Sequence, residues 1–342
     1  MKRAEIRLFQ AVGRAVLAVL FVCCGARARA DTESAARYSA QHGERALLVW
    51  QNGRLRFERY GPREAPDKPE YVFSITKSLC ALGTFAAVGR RLVQLDEPVS
   101  LTLTEWRTDP RKRAITVREL LNQTSGLSAG YEQLYAANLR NKNQKALNLP
   151  AVAAPGKEFD YGPSHYEVLE ALLARKLGES PLVWLQSSLF GPLGITPGGW
   201  RRDLVGNAYF SAGAQVSARD LLAVGHLVRR KGWHWIFPLI PSSLVRTASA
   251  GSPANPIYGL GFWLNRLATD RNAMEIDVEE AISRRASWDR LCLSRSAPSD
   301  MIAMVGSRGQ RVYVSSSKRL IIVRLGSEPG FRDPDFLRRF FD

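Results

Sequence analysis

Strand-forming runs lie at both ends of this chain, and helix-forming runs fill the middle. Near the start, Ala46-Leu47-Leu48-Val49-Trp50 and Leu55-Arg56-Phe57-Glu58-Arg59-Tyr60 flank Asn52-Gly53, a pair favoured in type I′ hairpin turns. Late in the chain, Tyr258 to Leu264, Met301 to Val305, Arg311 to Ser315 and Leu320 to Leu325 are β-prone, the last three spaced as a meander. Helical patterns cover Ser74 to Val88, Ile115 to Asn122, His165 to Leu177 and Pro181 to Phe190. Ser217-Ala218-Arg219-Asp220 opens a further helix through Val228 as a capping box, and Pro334 to Phe341 closes the chain as an amphipathic helix. The expectation is an α/β chain of the α+β type. Both termini complete one antiparallel sheet flanked by helices, with a mainly helical lobe at roughly 76–245 inserted into the sheet lobe.

The chain has 342 residues, 45% hydrophobic and 23% charged, enough for a sizeable core. Residues 1–30 read as a signal peptide. Lys2, Arg3 and Arg7 form a basic region, Ala15 to Ala26 an apolar stretch, and Ala28-Arg29-Ala30 a small-x-small cleavage site. The stretch is short for a membrane anchor, and Val22 is bulky where a lipoprotein signal before Cys23 wants a small residue. The mature domain would then be 31–342, secreted or periplasmic, with no stable membrane span. The net charge is +16; loss of residues 1–30 removes six basic residues and Glu5, leaving about +11. No basic run interleaves with aromatics in a nucleic-acid motif, so nucleic acid is not an expected partner. Export leaves two cysteines, Cys80 and Cys292. The sequence leaves open whether they pair or are free thiols, and it leaves the oligomeric state open.

Ser74-Ile75-Thr76-Lys77 stands at the start of an apolar helix, after the β-prone Tyr71-Val72-Phe73. Positions i and i+3 share a helix face, so the Ser74 hydroxyl and the Lys77 amine can meet. The positive end of the helix favours a neutral lysine, which can accept a proton. Two further segments carry candidate chemistry. Tyr161, in Phe159-Asp160-Tyr161-Gly162-Pro163-Ser164, precedes a helix; near a lysine amine its hydroxyl would lose a proton more easily and could relay it. Gly306-Ser307-Arg308-Gly309-Gln310 precedes the strand from Arg311. A glycine there lets a substrate approach the strand edge, and the following amide can complete an oxyanion hole.

Other patterns are set aside. Gly126-Leu127-Ser128-Ala129-Gly130 matches G-x-S-x-G but lacks the strand–turn–helix context that motif needs. His42, His165, His226 and His234 have no metal-ligand spacing, and no cofactor is expected. Trp233-His234-Trp235-Ile236-Phe237 could meet a membrane surface; the expectation is that it packs a loop and a helix onto the body.

Taken together, Phe73-Ser74-Ile75-Thr76-Lys77-Ser78, Leu92 to Val99, Ile115 to Leu127, Ser217 to Leu221, Tyr258 to Phe262 and Gly309 to Val314 resemble the serine β-lactamase and penicillin-binding-protein superfamily. The likeness is to its class C-related branch, with its esterase and amidase relatives, and covers essentially the whole chain after residue 30. It implies a β-lactamase/transpeptidase-like fold and acyl transfer through a covalent serine ester. Ser74 would be the nucleophile, Lys77 its general base and Tyr161 the proton relay. The backbone amides of Ser74 and Gln310 would form the oxyanion hole, and Ser307, Arg308 and Gly309 would bind substrate.

Two departures bear on the substrate. The lactamases' Tyr-x-Asn is here Tyr161-Gly162-Pro163, and proline offers no side-chain hydrogen bond. Their Lys-Thr-Gly is here Ser307-Arg308-Gly309, in which Arg308 is a candidate carboxylate fork of unassigned direction. Both changes weaken the link to β-lactams. The expected function is that of an exported, metal-independent esterase or amidase acting on a small-molecule or peptide substrate. The alternatives are a D-amino-acid-specific peptidase, a weak β-lactamase, or a binding or regulatory protein on the same scaffold.

Overall fold

A computed structural model describes residues 32–284, 287–328 and 330–342. The signal peptide read at residues 1–30, with Cys23 and Cys24, lies outside the described residues.

One six-stranded antiparallel sheet organises the chain. Its strands are β1 (Glu44–Gln51), β2 (Arg54–Tyr60), β3 (Trp263–Leu264), β4 (Ile302–Gly306), β5 (Gln310–Ser315) and β6 (Leu320–Gly326). Their spatial order is β2-β1-β6-β5-β4-β3. The amino-terminal hairpin therefore docks on the carboxy-terminal meander, with Leu48 opposite Val323 and Val49 opposite Ile322. At the β1–β2 turn, Asn52 and Gly53 both have positive φ, 51° and 87°, as a type I′ turn requires.

Alternation along the strands splits the core in two. Leu48, Val312, Val314, Ile321 and Val323 face one side with the helices of the chain's middle. Leu47, Val49, Tyr313, Leu320 and Ile322 face the other side with Phe336, Leu337 and Phe340 of the last helix. The principal helices are α1 (32–41), α2 (Ile75–Gly89), α3 (Ser164–Leu177), α4 (Ala218–Arg229), α5 (Val278–Arg284) and α6 (Asp333–Phe341). Helices α1 and α5 carry no signal that the sequence reading recognised.

Several local expectations change. Strand β3 is confined to Trp263–Leu264, because Gly259 packs too closely on the Ala248 carbonyl for any Cβ and Gly261 has φ +87°. The Pro181 helix stops at Leu185 and passes into a π turn over Gln186–Phe190. Cys80 and Cys292 are both free and buried. The Trp233–Phe237 run does not pack onto the body. It forms a two-stranded hairpin whose tip residues Trp235, Ile236 and Phe237 are 73%, 76% and 64% exposed. No described helix is long and apolar enough to cross a membrane.

Candidate active site

Helix α2 begins where the chain leaves a small sheet. Glu70–Tyr71 pairs with Ala214–Val216, Val72 N donates to Ala214 O at 3.1 Å, and Ala214 N donates to the Thr76 hydroxyl at 3.1 Å. These bonds tie segment 211–214 to the first turn of α2. Between strand and helix, Phe73 is held at φ +47°, a left-handed conformation disfavoured for a bulky residue. That bend puts Ser74 at the N-cap with its hydroxyl free of capping. From Ile75 to Ala87 the helix is wholly buried, with Lys77 only 2% exposed.

The spacing of Ser74 and Lys77 does what one helical turn allows. Lys77 Nζ lies 3.1 Å from Ser74 Oγ and 2.9 Å from the Ser211 carbonyl oxygen. It also sits 4.8 Å from the centre of the Tyr161 ring and 5.9 Å from that of Tyr166. Burial pulls the Lys77 amine down to about 7, overriding the opposing attraction of Glu167. At neutral pH a large share of it is unprotonated and can accept a proton.

Tyr161 is positioned by backbone and by rings. Gln123, held at φ +58°, accepts from Gly162 N through its side chain at 2.8 Å and from Asp160 N through its carbonyl at 3.1 Å. Gln123 Nε2 in turn donates to the Tyr258 hydroxyl at 2.9 Å. Tyr258 and Trp263 flank the Tyr161 ring at 5.9 and 5.6 Å. The expectation that a nearby lysine would make the Tyr161 proton easier to lose is not met. Burial raises its pKa well above the usual phenol value, and the hydrogen bond with Ser74 offsets only part of this. Tyr161 is therefore a held proton, a donor rather than a base.

The third segment needs correction. Gly306, not Gly309, packs against the start of α2: a Cβ on Gly306 would lie 2.3 Å from Val72 O and 3.3 Å from Ile75 N. The hairpin register pairs Gly306 with Gln310 and leaves Ser307-Arg308-Gly309 as the turn. Gln310 is thus on the far strand. It is buried, with its side chain donating to Gly326 O at 2.7 Å and accepting from Gly326 N at 3.1 Å. Gln310 is not among the residues that line the cleft over Ser74, whereas Ser307, the residue after Gly306, is. Gly309 is likewise turned into the body, where a Cβ would lie 2.2 Å from Arg324 Nη1. Arg308 is exposed, its guanidinium 5.5 Å from the Phe73 ring centre at the rim.

A cavity of about 210 Å³ opens over Ser74, walled by Phe73, Tyr135, Tyr161, Gly306 and Ser307. Its charged lining residue, among the described ones, is Glu279. Glu279 Oε1 accepts from Arg311 Nη1 at 3.1 Å and from Gly309 N at 3.3 Å. A larger cavity of about 520 Å³ adjoins it and shares Tyr131, Tyr161 and Ile282. Leu127, Val152, Phe159 and Trp288 line this second space together with the charged Lys157, Glu158 and Asp160.

Residues that the sequence reading missed stand behind the lysine. The Ser211 hydroxyl donates to Glu167 Oε1, and Ser211 N donates to the same oxygen at 3.1 Å. Glu167 Oε2 pairs with Lys142 Nζ at 2.8 Å, both side chains fully buried. The signal available was a pair of acids, Glu167 and Glu170, within an otherwise apolar helix face. His165 has no catalytic partner; it contacts Ser125 Oγ at 2.9 Å and the Asp160 carbonyl at 2.7 Å, and burial lowers it to about 4.

The chain is similar in sequence and in fold to known proteins. Over 155 residues the chain is 31% identical to monacolin J acid methylbutanoyltransferase of Aspergillus terreus, covering 38% of this chain and 37% of that protein. The chain aligns with only about a third of the length of the curated relatives it matches. In fold it resembles EstCE1, a hydrolase with promiscuous acyltransferase activity, at a TM-score of 0.69 and 16% identity over 92% of this chain and 100% of that one. It also resembles the octameric penicillin-binding protein homologue of Pyrococcus abyssi, at a TM-score of 0.65 and 16% identity over 89% and 74%. The beta-lactamase family model matches residues 30–336, and the chain belongs to that family of serine hydrolases and acyltransferases.

Proposed function

We propose that this chain is an exported serine hydrolase that cleaves an ester or amide through an acyl-enzyme on Ser74. The observation that carries the reading is the 3.1 Å approach of a buried Lys77 amine, its pKa lowered to about 7, to the Ser74 hydroxyl. A nucleophile needs an adjacent base whose pKa lies near the working pH. Lys77 takes the Ser74 proton as Oγ attacks the carbonyl carbon. Negative charge then gathers on the carbonyl oxygen, where the amides of Ser74 and Ser307 donate to it. Tyr161 gives its proton to the departing alkoxide or amine and is reprotonated from Lys77. Water then attacks the ester carbonyl as the neutral Lys77 amine takes its proton, and Lys77 returns that proton to the Ser74 oxygen as the acyl bond breaks.

The cleft favours an uncharged acyl group over a carboxylate-bearing one. An acid, Glu279, lines the space over Ser74, and the adjoining cavity is walled by Leu127, Val152, Phe159 and Trp288, with two acids, Glu158 and Asp160, against one cation, Lys157. Arg308 stands exposed at the rim. A carboxylate beside Glu279 would meet like charge in a partly desolvated site. β-Lactams and D-Ala-D-Ala peptides carry such a group. Short-chain esters do not.

Labelling with a fluorophosphonate probe, then substrate profiling, tests the reading. Wild type should label and Ser74→Ala should not, and ester hydrolysis should exceed turnover of a D-Ala-D-Ala peptide and of a chromogenic cephalosporin. Equal labelling of both proteins, or of neither, returns the chain to a binding role. A cephalosporin rate above the ester rate makes it a lactamase instead. Export is tested separately, by the amino-terminal residue of the protein recovered from the cell envelope, expected at Asp31.

A further inference from the structure

The hairpin at Trp233–Phe237 has no role in the chemistry, and its construction is unusual for a surface loop. Trp233 pairs with Pro238 and His234 with Phe237, so Trp235 and Ile236 form a two-residue turn. Trp235 has φ +52°. That first turn position is normally given to glycine, and a bulky side chain there is strained. The stalk beneath is fixed. Leu239 N and Ile240 N donate to Gly232 O at 3.0 and 3.2 Å, Trp233 Nε1 donates to Ser242 Oγ at 3.1 Å, and Ile240 is fully buried. A rigid base thus presents three large apolar side chains, each more than three-fifths exposed, at a convex tip. Among the described residues the Trp235 ring meets only His234, its neighbour in the hairpin, and the Arg230 guanidinium, which leaves most of the tip's apolar surface exposed.

The surroundings of the tip are cationic. Helix α4 ends in Arg229 and Arg230, followed by Lys231. The β5–β6 turn brings Lys318 and Arg319 to the same end, since Ser316 Oγ donates to Arg229 O at 3.2 Å. Arg229 is partly desolvated, its guanidinium 4.6 Å from the Trp50 ring centre, and feels the like charges of Arg230 and Arg319; the Arg230 guanidinium lies 5.2 Å from the Trp235 ring centre. None of these five cations has an ion-pair partner among the described residues. This end is remote from Ser74. Ser307 precedes strand β5 and the cationic turn follows it, six residues on, which spans about 20 Å.

We propose that the Trp233–Phe237 hairpin and its rim of Arg229, Arg230, Lys231, Lys318 and Arg319 dock the protein peripherally on an anionic lipid bilayer. Aromatic side chains favour the membrane–water interface, and unpaired cations beside them draw the surface toward anionic headgroups. The tip is convex, so it can insert between headgroups where it could not receive a peptide. The positive charge of the whole chain acts in the same direction. Docking at this end leaves the Ser74 cleft open to solvent.

The test uses the full chain with vesicles of phosphatidylcholine, alone or with about a third phosphatidylglycerol. Hydrogen exchange is followed at residues 233–238, alongside cosedimentation of wild type, Trp235→Ser/Ile236→Ser/Phe237→Ser and Arg230→Glu/Lys231→Glu. Anionic vesicles are expected to slow exchange at 233–238, and neutral vesicles to do so far less. Each variant should lower hairpin protection and partitioning by about tenfold or more at low salt, with an unchanged melting temperature. Unchanged exchange at 233–238 on vesicle binding would overturn the proposal, including where residues 1–31 carry the binding. Protection that appears without lipid as protein concentration rises would overturn it in favour of a second copy of the chain. Equal binding by wild type and both variants would also sink it.

Discussion

Lys77 is held by Ser211: its amine sits 2.9 Å from the Ser211 carbonyl oxygen while reaching Ser74 at 3.1 Å. A carbonyl can only accept, so this contact keeps one Lys77 N–H turned away and leaves the nitrogen lone pair for the Ser74 proton. The pH dependence follows. With Lys77 at about 7, the acylation rate should fall about tenfold per pH unit below 6 and level off above 8. Single-turnover labelling across pH 5 to 9 checks this, and a flat profile from 5 to 7 would remove Lys77 as the base.

The same burial has a cost in stability, with a definite sign. In the unfolded chain Lys77 holds its proton to the usual lysine range near 10.5; in the fold it loses it near 7. The unfolded state therefore binds more protons across that window, and stability should rise with pH from 7 toward 10.5 on account of this residue. Replacing it by a neutral isostere removes the penalty. Lys77→Met should lower acylation by about 10³-fold or more yet melt at or above the wild-type temperature at pH 7. A clear drop in melting temperature would contradict the assigned burial cost.

Tyr161 can be separated from Lys77 by its leaving-group dependence. Its phenol keeps its proton at neutral pH because burial raises it, so its role falls where the leaving group needs protonation. Tyr161→Phe should slow hydrolysis of alkyl esters and amides by about 10² to 10⁴ and affect p-nitrophenyl esters far less, since nitrophenolate leaves unprotonated. Equal losses on both substrates would assign Tyr161 a packing role among Tyr258 and Trp263 instead.

Local periodicity carried most of the architecture. The Asn52-Gly53 turn, the three late strands and helix α2 follow from pattern and turn chemistry, and Ser74 and Lys77 meet because three residues make most of one turn. What the sequence could not carry was long-range register. Gly306 and Gly309 are both glycines beside the same turn, and only the pairing of Gly306 with Gln310 decides which of them faces α2. The chain of contacts from Lys142 to Glu167 to Ser211 joins residues 25 and 44 positions apart in a network that no local window spans. The Trp233 run looked like core by composition, because burial depends on what surrounds it and not on its own hydrophobicity.

The Lys142–Glu167 pair, 2.8 Å apart with neither side chain exposed, should show the asymmetry of buried ion pairs. Glu167→Gln leaves Lys142 near Glu170 alone, at 3.7 Å, and weakens the grip on Ser211. It should cost about 3–5 kcal/mol of stability and also shift the pH profile of acylation, since the Glu167 charge supports protonated Lys77. Lys142→Met/Glu167→Leu should recover much of the stability but not the profile. Urea denaturation with pH-dependent labelling measures both. A double variant no more stable than Glu167→Gln would show that the pair itself, and not relief of an unpaired charge, holds the fold.

Gly306 and Gln310 make opposite predictions, and together they test the placement of the oxyanion amide. A methyl group at position 306 would press on Val72 O and Ile75 N, pushing β4 away from α2 and moving the Ser307 amide from the Ser74 carbonyl site. Gly306→Ala should therefore lower kcat by about 10² or more while leaving KM little changed, as loss of transition-state hydrogen bonding does. Gln310→Ala removes the two bonds to Gly326 and leaves the cleft intact, so it should cost about 1–3 kcal/mol of stability with kcat within a few-fold of wild type. Paired kinetics and melts on the two variants decide the matter. If Gln310→Ala loses kcat at unchanged stability while Gly306→Ala keeps it, the amide at 310 rather than that at 307 serves the site, and the strand register described here does not govern catalysis.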